Sequence, residues 1–106
     1  MNLFALFRRN DINRDIDDFR NTPDSVLLDV RSEEEYMSGH IPQSVNIPLD
    51  KISNIKNVVK KQDSAIFVYC LRGTRSRRAA GILRKLGYKN VKSIGGIASY
   101  KGKLEN

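Results

Sequence analysis

The sequence has one cysteine, one histidine and no tryptophan among its 106 residues. A single cysteine cannot form an internal disulfide, so the chain is not a small secreted scaffold held together by disulfides. It also excludes a multi-cysteine zinc site, and the single His40 does not complete another ligand set. We therefore expect no metal site and no dithiol redox cycle within one chain.

Long apolar runs are also absent. The N-terminal apolar run covers only Leu3 to Phe7. An export signal would have its positive charges before the apolar run, but here the arginines follow it. A membrane-spanning helix needs about 20 consecutive apolar residues. We expect no membrane span, a cytoplasmic location, and a short apolar and basic extension over residues 1–11 that packs on the domain or on a partner.

Positive charge is plentiful. The chain has 19 Lys plus Arg against 12 Asp plus Glu, a net charge of +7, and its length suits a single domain over residues 1–106. The positive electrostatic potential of such a charge favours anionic ligands or acidic partners. The run "RSRR", residues 75–78, is either a solvated helix face or a docking surface for an acidic protein. No aromatic residues interleave it, so we expect no specific nucleic-acid binding.

Strand and helix patterns alternate along the chain. Apolar runs predict short strands over residues 26–30, 44–49, 65–69 and 90–96. Helical spacing and capping residues predict helices that begin near Ile12, Ser32, Asp50 and Ser76, the second with a capping box to Glu35. The second helix is expected to end at Gly39, and residues 97–106 are predicted to form a short helix with a frayed tail. Several strands are apolar on both faces. This pattern predicts an α/β fold with a small, mainly parallel sheet and helices on both faces.

The stretch "YCLRGTRSRRAAG" places Cys70 at the carboxyl end of a predicted strand, where ligands bind in such sheets. A helix N-terminus with nearby arginines lowers a thiol pKa by roughly one to several units. Successive backbone amides can form a nest for an anion. Gly73 permits a sharp turn and Thr74 adds a hydroxyl donor. The sequence therefore predicts a thiolate at the base of an anion cradle.

Other interpretations of Cys70 compete with this one. A lone cysteine at a strand end is commonly a buried small apolar residue. A cysteine phosphatase would need an arginine six positions after the nucleophile, where Ser76 stands, so the loop fits a persulfide better than a phosphate. His40 lies in a Gly-His-Ile-Pro turn, where we expect a structural role. Without a paired base, the cysteine must be activated by its electrostatic surroundings.

Three ordered stretches resemble the rhodanese-like family, specifically its single-domain sulfurtransferases. They are "LLDVRSEEEYMSGHIPQSVNIPL", "FVYCLRGTRSRRAAGILRKLGY" and "VKSIGGIASY", and the likeness covers about residues 12–100. Three motifs in order are far more specific than one. The family commonly has tryptophan after the glycine pair, and here Tyr100 is the nearest aromatic residue.

The resemblance implies a sheet of about five strands and a sulfur-transfer reaction without a cofactor. Cys70 would take a sulfane sulfur from a small anionic donor such as thiosulfate, or from a persulfide donor. It would hold the sulfur as a persulfide and pass it to cyanide or to a thiol acceptor, either a small molecule or a protein. The alternative is a non-enzymatic interaction or regulatory module that uses the basic face around the loop.

The resemblance also implies roles for other residues. Backbone amides of the loop would cradle the outer sulfur, and its residues are Leu71, Arg72, Gly73, Thr74, Arg75 and Ser76. Within it, Arg75 would be the basic residue near the loop's end and Arg72 would face the anionic donor. Asp29 and Arg31 match a charged pair of the first motif, and we expect them to position the site without taking part in the chemistry.

Overall fold

The computed structural model describes residues 11–106. The predicted N-terminal extension falls almost entirely on residues 1–10, so its packing lies outside the described residues. In the described part, three α-helices, four β-strands and two 3-10 segments follow one another along the chain. Their order is α1 (Ile12–Arg20), β1 (Val26–Asp29), α2 (Glu33–Ser38), β2 (Ser44–Asn46), a 3-10 segment (Leu49–Asn57), β3 (Ala65–Cys70), α3 (Thr74–Lys85), β4 (Asn90–Gly96) and a 3-10 turn (Ile97–Ser99).

The four strands form one parallel sheet in the order β2-β1-β3-β4. This confirms the predicted parallel α/β fold, but the expected count of about five strands is too high for residues 11–106. The physical reason is that only four stretches in these residues have the apolar pattern of a strand. The larger number came from the family resemblance. The site lies at the carboxyl ends of the two central strands, β1 and β3.

Helices cover both faces of the sheet, as predicted. On one face, α1 packs its apolar side, Ile12, Ile16 and Phe19, against side chains such as Leu27 and Phe67. The other face carries α3 and the 3-10 segment, whose core side chains are Ala79, Leu83, Ile52 and Ile55. Cys70 belongs to this second cluster. The sheet therefore holds β3, and with it Cys70, between two apolar layers.

The segment after β2 differs from the prediction. It is a 3-10 segment preceded by Pro48, and the predicted N-cap, Asp50, lies inside it. The backbone of Lys51 (φ −115°, ψ 18°) leaves the helical region, which interrupts any regular helix there. The strand before it, at the edge of the sheet, is also shorter than predicted, and its Val45 is 38% exposed.

Local capping explains several of the element boundaries. The Asp11 side chain accepts from the amide of Asn13 and begins α1. The predicted capping box of α2 is present: Ser32 Oγ accepts from the Glu35 amide, and the Glu35 carboxylate accepts from the Ser32 amide. The helix ends at Gly39, as predicted, where φ is 151°. No helix within residues 11–106 combines the length and apolar character needed to cross a membrane.

The C-terminal residues, predicted as a short helix with a frayed tail, form only the 3-10 turn Ile97–Ser99. Beyond it, Glu105 pairs antiparallel with His40 through two backbone hydrogen bonds, 2.8 and 2.9 Å long. The His40 ring stacks on Tyr36 at 3.7 Å between ring centroids, and its Nδ1 lies 2.8 Å from the Tyr36 carbonyl oxygen. These contacts give His40 the structural role that the sequence predicted.

Candidate active site

Cys70 is the last residue of β3, and the chain reaches α3 within the next few residues. Gly73 precedes the helix with φ 111° and ψ −15°, a left-handed conformation that glycine adopts at little cost. The predicted turn at Gly73 is therefore present, and α3 begins at Thr74, slightly earlier than predicted. This tight connection points the first amides of α3 towards the end of β3.

The Cys70 side chain is buried, at 1% exposure, and its sulfur accepts a hydrogen bond of 3.0 Å from the Gly73 amide. Burial raises the pKa of the thiol. The nearby amide and hydroxyl of Ser76, and the amides of Gly73 and Arg72, outweigh burial and lower the Cys70 pKa below its ordinary value. These donors favour a thiolate, because a charged acceptor strengthens each bond. Binding of an anion by this loop stays a prediction.

The glycine pair of β4 lies directly under the loop. Gly96 is the strand partner of Cys70, after an irregularity between Val68 and Cys70. A Cβ atom added at Gly96 would collide with the Leu71 carbonyl oxygen and with Arg72 Cα. The same carbonyl accepts a 3.1 Å hydrogen bond from the Ala98 amide. The close approach of two backbones thus supports the loop from below, and it requires glycine at position 96.

Arg75 points to a carboxylate in the structure. Its guanidinium binds Glu35 through two hydrogen bonds of 2.6 and 3.0 Å, and both side chains are about one-third exposed. The hydrogen bond from Arg75 is the main reason that the Glu35 pKa is lowered to about 2. The other predicted contact residues of the loop, Leu71, Arg72 and Thr74, are exposed to solvent. Their roles towards a substrate stay predictions.

Asp29 and Arg31 form a buried pair at the end of β1. Arg31 Nη2 lies 2.8 Å from Asp29 Oδ2, and the same nitrogen donates to the Gly39 carbonyl at 2.7 Å. The Arg31 amide donates to Asp29 Oδ1. Asp29 is the strand partner of Tyr69, the residue before Cys70. The pair therefore fixes the strand end beside the site. Within residues 11–106, none of its side-chain hydrogen bonds is made to a residue of the Cys70 loop.

A groove of about 630 Å³ runs along α3 beside the loop. Its lining includes the apolar side chains of Val30, Leu49 and Ile82, and the arginines Arg75 and Arg78. Arg75 belongs to both the loop and the groove, so the groove is continuous with the candidate site. Among residues 11–106, no group of three or more His, Cys, Asp and Glu side chains could hold a metal ion.

Sequence reasoning missed three contributors to the site. The sequence shows Glu35 only as part of a capping box, because its arginine partner lies 40 positions further along the chain. It also shows the glycine pair, but not the contact of that pair with the loop. Ser93 carried no signal at all, and its hydroxyl lies 2.8 Å from that of Ser76. Each depends on β4 or α2 being placed beside α3, which local patterns do not specify.

Comparisons with known proteins extend these observations. The sequence is 38% identical over 80 residues to the uncharacterized protein YqhL of Bacillus subtilis, covering 74% of this chain and 63% of that protein. It is 34% identical to the adenylyltransferase and sulfurtransferase uba4 of Ogataea parapolymorpha, covering 74% of this chain but 21% of that protein. The chain thus spans less than two-thirds of the length of these curated relatives.

A solved structure and a family model agree with the sequence comparison. The structure of an E. coli rhodanese with anions superimposes with a TM-score of 0.72 at 30% identity, covering 76% of this chain and 96% of that one. The model of the rhodanese-like domain matches residues 13–103, most of the sequence. The resemblance noted in the three motifs is confirmed, and the chain belongs to the rhodanese-like family.

Proposed function

We propose that this protein is a sulfurtransferase that carries one sulfane sulfur on Cys70 as a persulfide. The observation that carries the proposal is the buried sulfur at the end of β3, which accepts a hydrogen bond from the Gly73 amide and whose pKa is lowered by the nearby polar groups of Ser76, Gly73 and Arg72. A thiolate held this way is a nucleophile without needing a paired base. The retained cysteine, and a relative named as a sulfurtransferase, support the same activity.

The reaction has two steps. The Cys70 thiolate attacks the outer sulfur of thiosulfate, the S–S bond breaks, and sulfite leaves with the bonding electron pair. An acceptor thiolate or cyanide then attacks the outer sulfur of the persulfide. This second attack releases the Cys70 thiolate and yields a persulfide or thiocyanate. The loop amides hold negative charge on sulfur throughout, so the same donors serve both steps.

Charged residues near the loop would assist the donor. Arg72 is exposed and, within the described residues, forms no ion pair, so it is free to attract an anion. Arg75 keeps a partner in Glu35, and it adds positive potential beside the sulfur without closing the cradle. Asp29 and Arg31 hold the neighbouring strand end. A protein donor or acceptor would have to present a protruding sulfur, because Cys70 is 1% exposed.

Intact-protein mass spectrometry after incubation with thiosulfate tests the proposal. Wild type is expected to gain the mass of one sulfur atom, and cyanide or dithiothreitol is expected to remove it. Cys70→Ser, which retains a small hydroxyl side chain, is the matched control and should gain nothing. If neither thiosulfate nor a persulfide-bearing protein loads wild type, the proposal is wrong and the chain acts as an interaction module.

A further inference from the structure

Charge is distributed unevenly along the chain. Residues 64–104 contain ten Lys and Arg and no Asp or Glu, whereas eleven of the twelve acidic residues precede this segment. The segment includes the Cys70 loop, α3 and β4. The excess of positive charge therefore belongs to the elements that form and follow the candidate site.

Part of this charge lies on one exposed side of α3. Arg78 and Lys85 are both exposed. They are seven residues apart, so they lie on the same side of the helix, roughly 10 Å from each other along its axis. Ile82 lies between them on that side. Within residues 11–106 neither cation forms an ion pair. We call Arg78, Ile82 and Lys85 the basic strip.

The basic strip borders the groove of about 630 Å³ beside the candidate site, because Arg78 and Ile82 also line that groove. The charged lining residues outside α3 are Glu33, Asp50 and Lys51. Together these three carry one net negative charge. Carboxylates of a bound molecule are therefore attracted to the α3 side of the groove, where Arg78 lies.

The apolar part of the groove distinguishes between classes of anionic partner. Val30, Leu49 and Ile82 offer contacts to an apolar side chain, which a protein can supply and a phosphodiester backbone cannot. In the part of the chain that the structure describes, the groove has no aromatic lining residue on which a base could stack. Charge and apolar surface together favour an acidic protein.

We propose that the basic strip and the adjoining groove are the docking surface for an acidic protein that exchanges sulfur with Cys70. The inference rests on the proposed function, because it names the kind of partner that uses the same site. Since Cys70 is 1% exposed, the partner carries its sulfur on a protruding segment. Carboxylates of this segment bind Arg78 and Lys85, and an apolar side chain enters the groove. Because α3 begins directly after the loop, a segment bound along the strip extends to the sulfur.

The test uses a short fluorescent peptide in which glutamates and one leucine surround a serine. A matched peptide has glutamine in place of every glutamate. Neither peptide has a thiol, so fluorescence anisotropy measures binding without sulfur transfer.

Two double variants are compared with wild type. Arg78→Glu with Lys85→Glu reverses both charges of the basic strip. Lys60→Glu with Lys61→Glu makes the same change of net charge at exposed residues before β3, at the opposite end of that strand from Cys70. If the first double variant does not fold, Arg78→Gln with Lys85→Gln replaces it.

Wild type should bind the glutamate peptide about tenfold more tightly than the glutamine peptide at low ionic strength. Arg78→Glu with Lys85→Glu should remove this preference, and Lys60→Glu with Lys61→Glu should keep most of it. The proposal is overturned if wild type does not distinguish the two peptides. It is also overturned if both double variants lose the preference equally, because the peptide would then respond only to net charge.

Other occupants of the surface give different results. A single-stranded DNA oligonucleotide that binds through Arg78 and Lys85 more tightly than the glutamate peptide would assign the surface to nucleic acid. Self-association in sedimentation experiments, abolished by Arg78→Glu with Lys85→Glu, would assign it to a second copy of the chain. Either result would overturn the proposal.

The glutamate peptide with cysteine in place of serine links docking to sulfur transfer. It should take sulfur from loaded wild type severalfold faster than from loaded Arg78→Glu with Lys85→Glu, whereas dithiothreitol, which is uncharged, should unload both at the same rate. Equal rates with the peptide would reject the docking surface alone. Failure of every donor to load Cys70, with peptide binding through the basic strip intact, would reject only the sulfurtransferase function.

Discussion

At the scale of single residues, Cys70 combines burial with a stabilised thiolate, two properties that normally oppose each other. Its position at a strand end, before a glycine turn and a helix, could be predicted from local sequence alone. The donors at Gly73 and Ser76 follow directly from that position. The support under the loop could not be predicted, because it depends on how closely the backbone of β4 approaches Leu71 and Arg72.

Gly96→Ala is expected to destabilise the protein by about 1–3 kcal/mol, because a Cβ there overlaps backbone atoms that cannot move without distorting the loop. Thermal or denaturant unfolding measures the change. Gly81→Ala is the control: it lies within α3, and apart from its chain neighbours and the backbone of its own helix no atom lies within 4 Å of the added Cβ, so it should stabilise by roughly 0.5–1 kcal/mol. Equal effects of the two changes would contradict the close approach.

At the scale of elements, Glu35 joins two helices. One of its oxygens accepts from the Ser32 amide at the start of α2 and from Arg75 in the first turn of α3. The sequence predicted the local half of this arrangement, since a capping box spans adjacent residues. It could not predict the other half, because nothing in the spacing of "SEEE" shows which arginine of α3 faces the helix. The pair ties the end of the active-site loop to the neighbouring helix.

The Glu35–Arg75 pair makes stability depend on pH with a definite sign. The Glu35 pKa is about 2 in the folded protein, below the ordinary glutamate value of about 4.3. The pair's contribution is therefore fully present above pH about 4.3 and is lost as the pH decreases towards 2. Wild type should be more stable than Glu35→Gln at pH 6, and the difference should shrink across this range.

Urea unfolding at several pH values measures this difference. Glu34→Gln is the matched control, because Glu34 is exposed on the same helix and forms no salt bridge within residues 11–106. Its stability should follow that of wild type at every pH. A difference between wild type and Glu35→Gln that persists unchanged at pH 2 would show that the carboxylate's charge does not stabilise the fold.

At the scale of the whole molecule, the order of patterns along the chain was enough to predict the parallel sheet and helices on both faces. Long-range details were not predictable in this way. Val45 is exposed although it stands in an apolar run, and Glu105 pairs with His40 across most of the sequence. The position of a strand in the sheet and the contacts of the C-terminal residues are set only when the sheet has assembled. The spacing of apolar residues shows only which side of a strand is apolar.

The net charge of +7 attracts anions to the whole protein, but the location of each charged residue relative to the loop should also matter for an anionic donor. We expect Arg72→Glu to raise the KM for thiosulfate severalfold at low ionic strength, with a smaller effect on kcat. Lys61→Glu makes the same change of net charge at an exposed residue before β3, at the opposite end of that strand from Cys70. Steady-state assays compare the two.

An equal rise in KM for Arg72→Glu and Lys61→Glu would mean that the donor responds to net charge and not to the arginine beside the loop. The effect of Lys61→Glu should disappear as salt is added, whereas part of the effect of Arg72→Glu should remain. Screening acts over about 10 Å at 0.1 M salt, so a long-range effect disappears first and a direct contact persists.

The single cysteine has a kinetic consequence for the proposed reaction. With no second thiol in the chain to receive the sulfur, donor and acceptor must react in turn at Cys70 at the end of β3, the donor with the thiolate and the acceptor with the persulfide formed on it. The donor reacts only with the empty form and the acceptor only with the loaded form, so the protein alternates between the two forms in a ping-pong cycle. The flow of sulfur then depends on the balance of the two substrates, because a shortage of either one leaves most of the protein in the form that requires it.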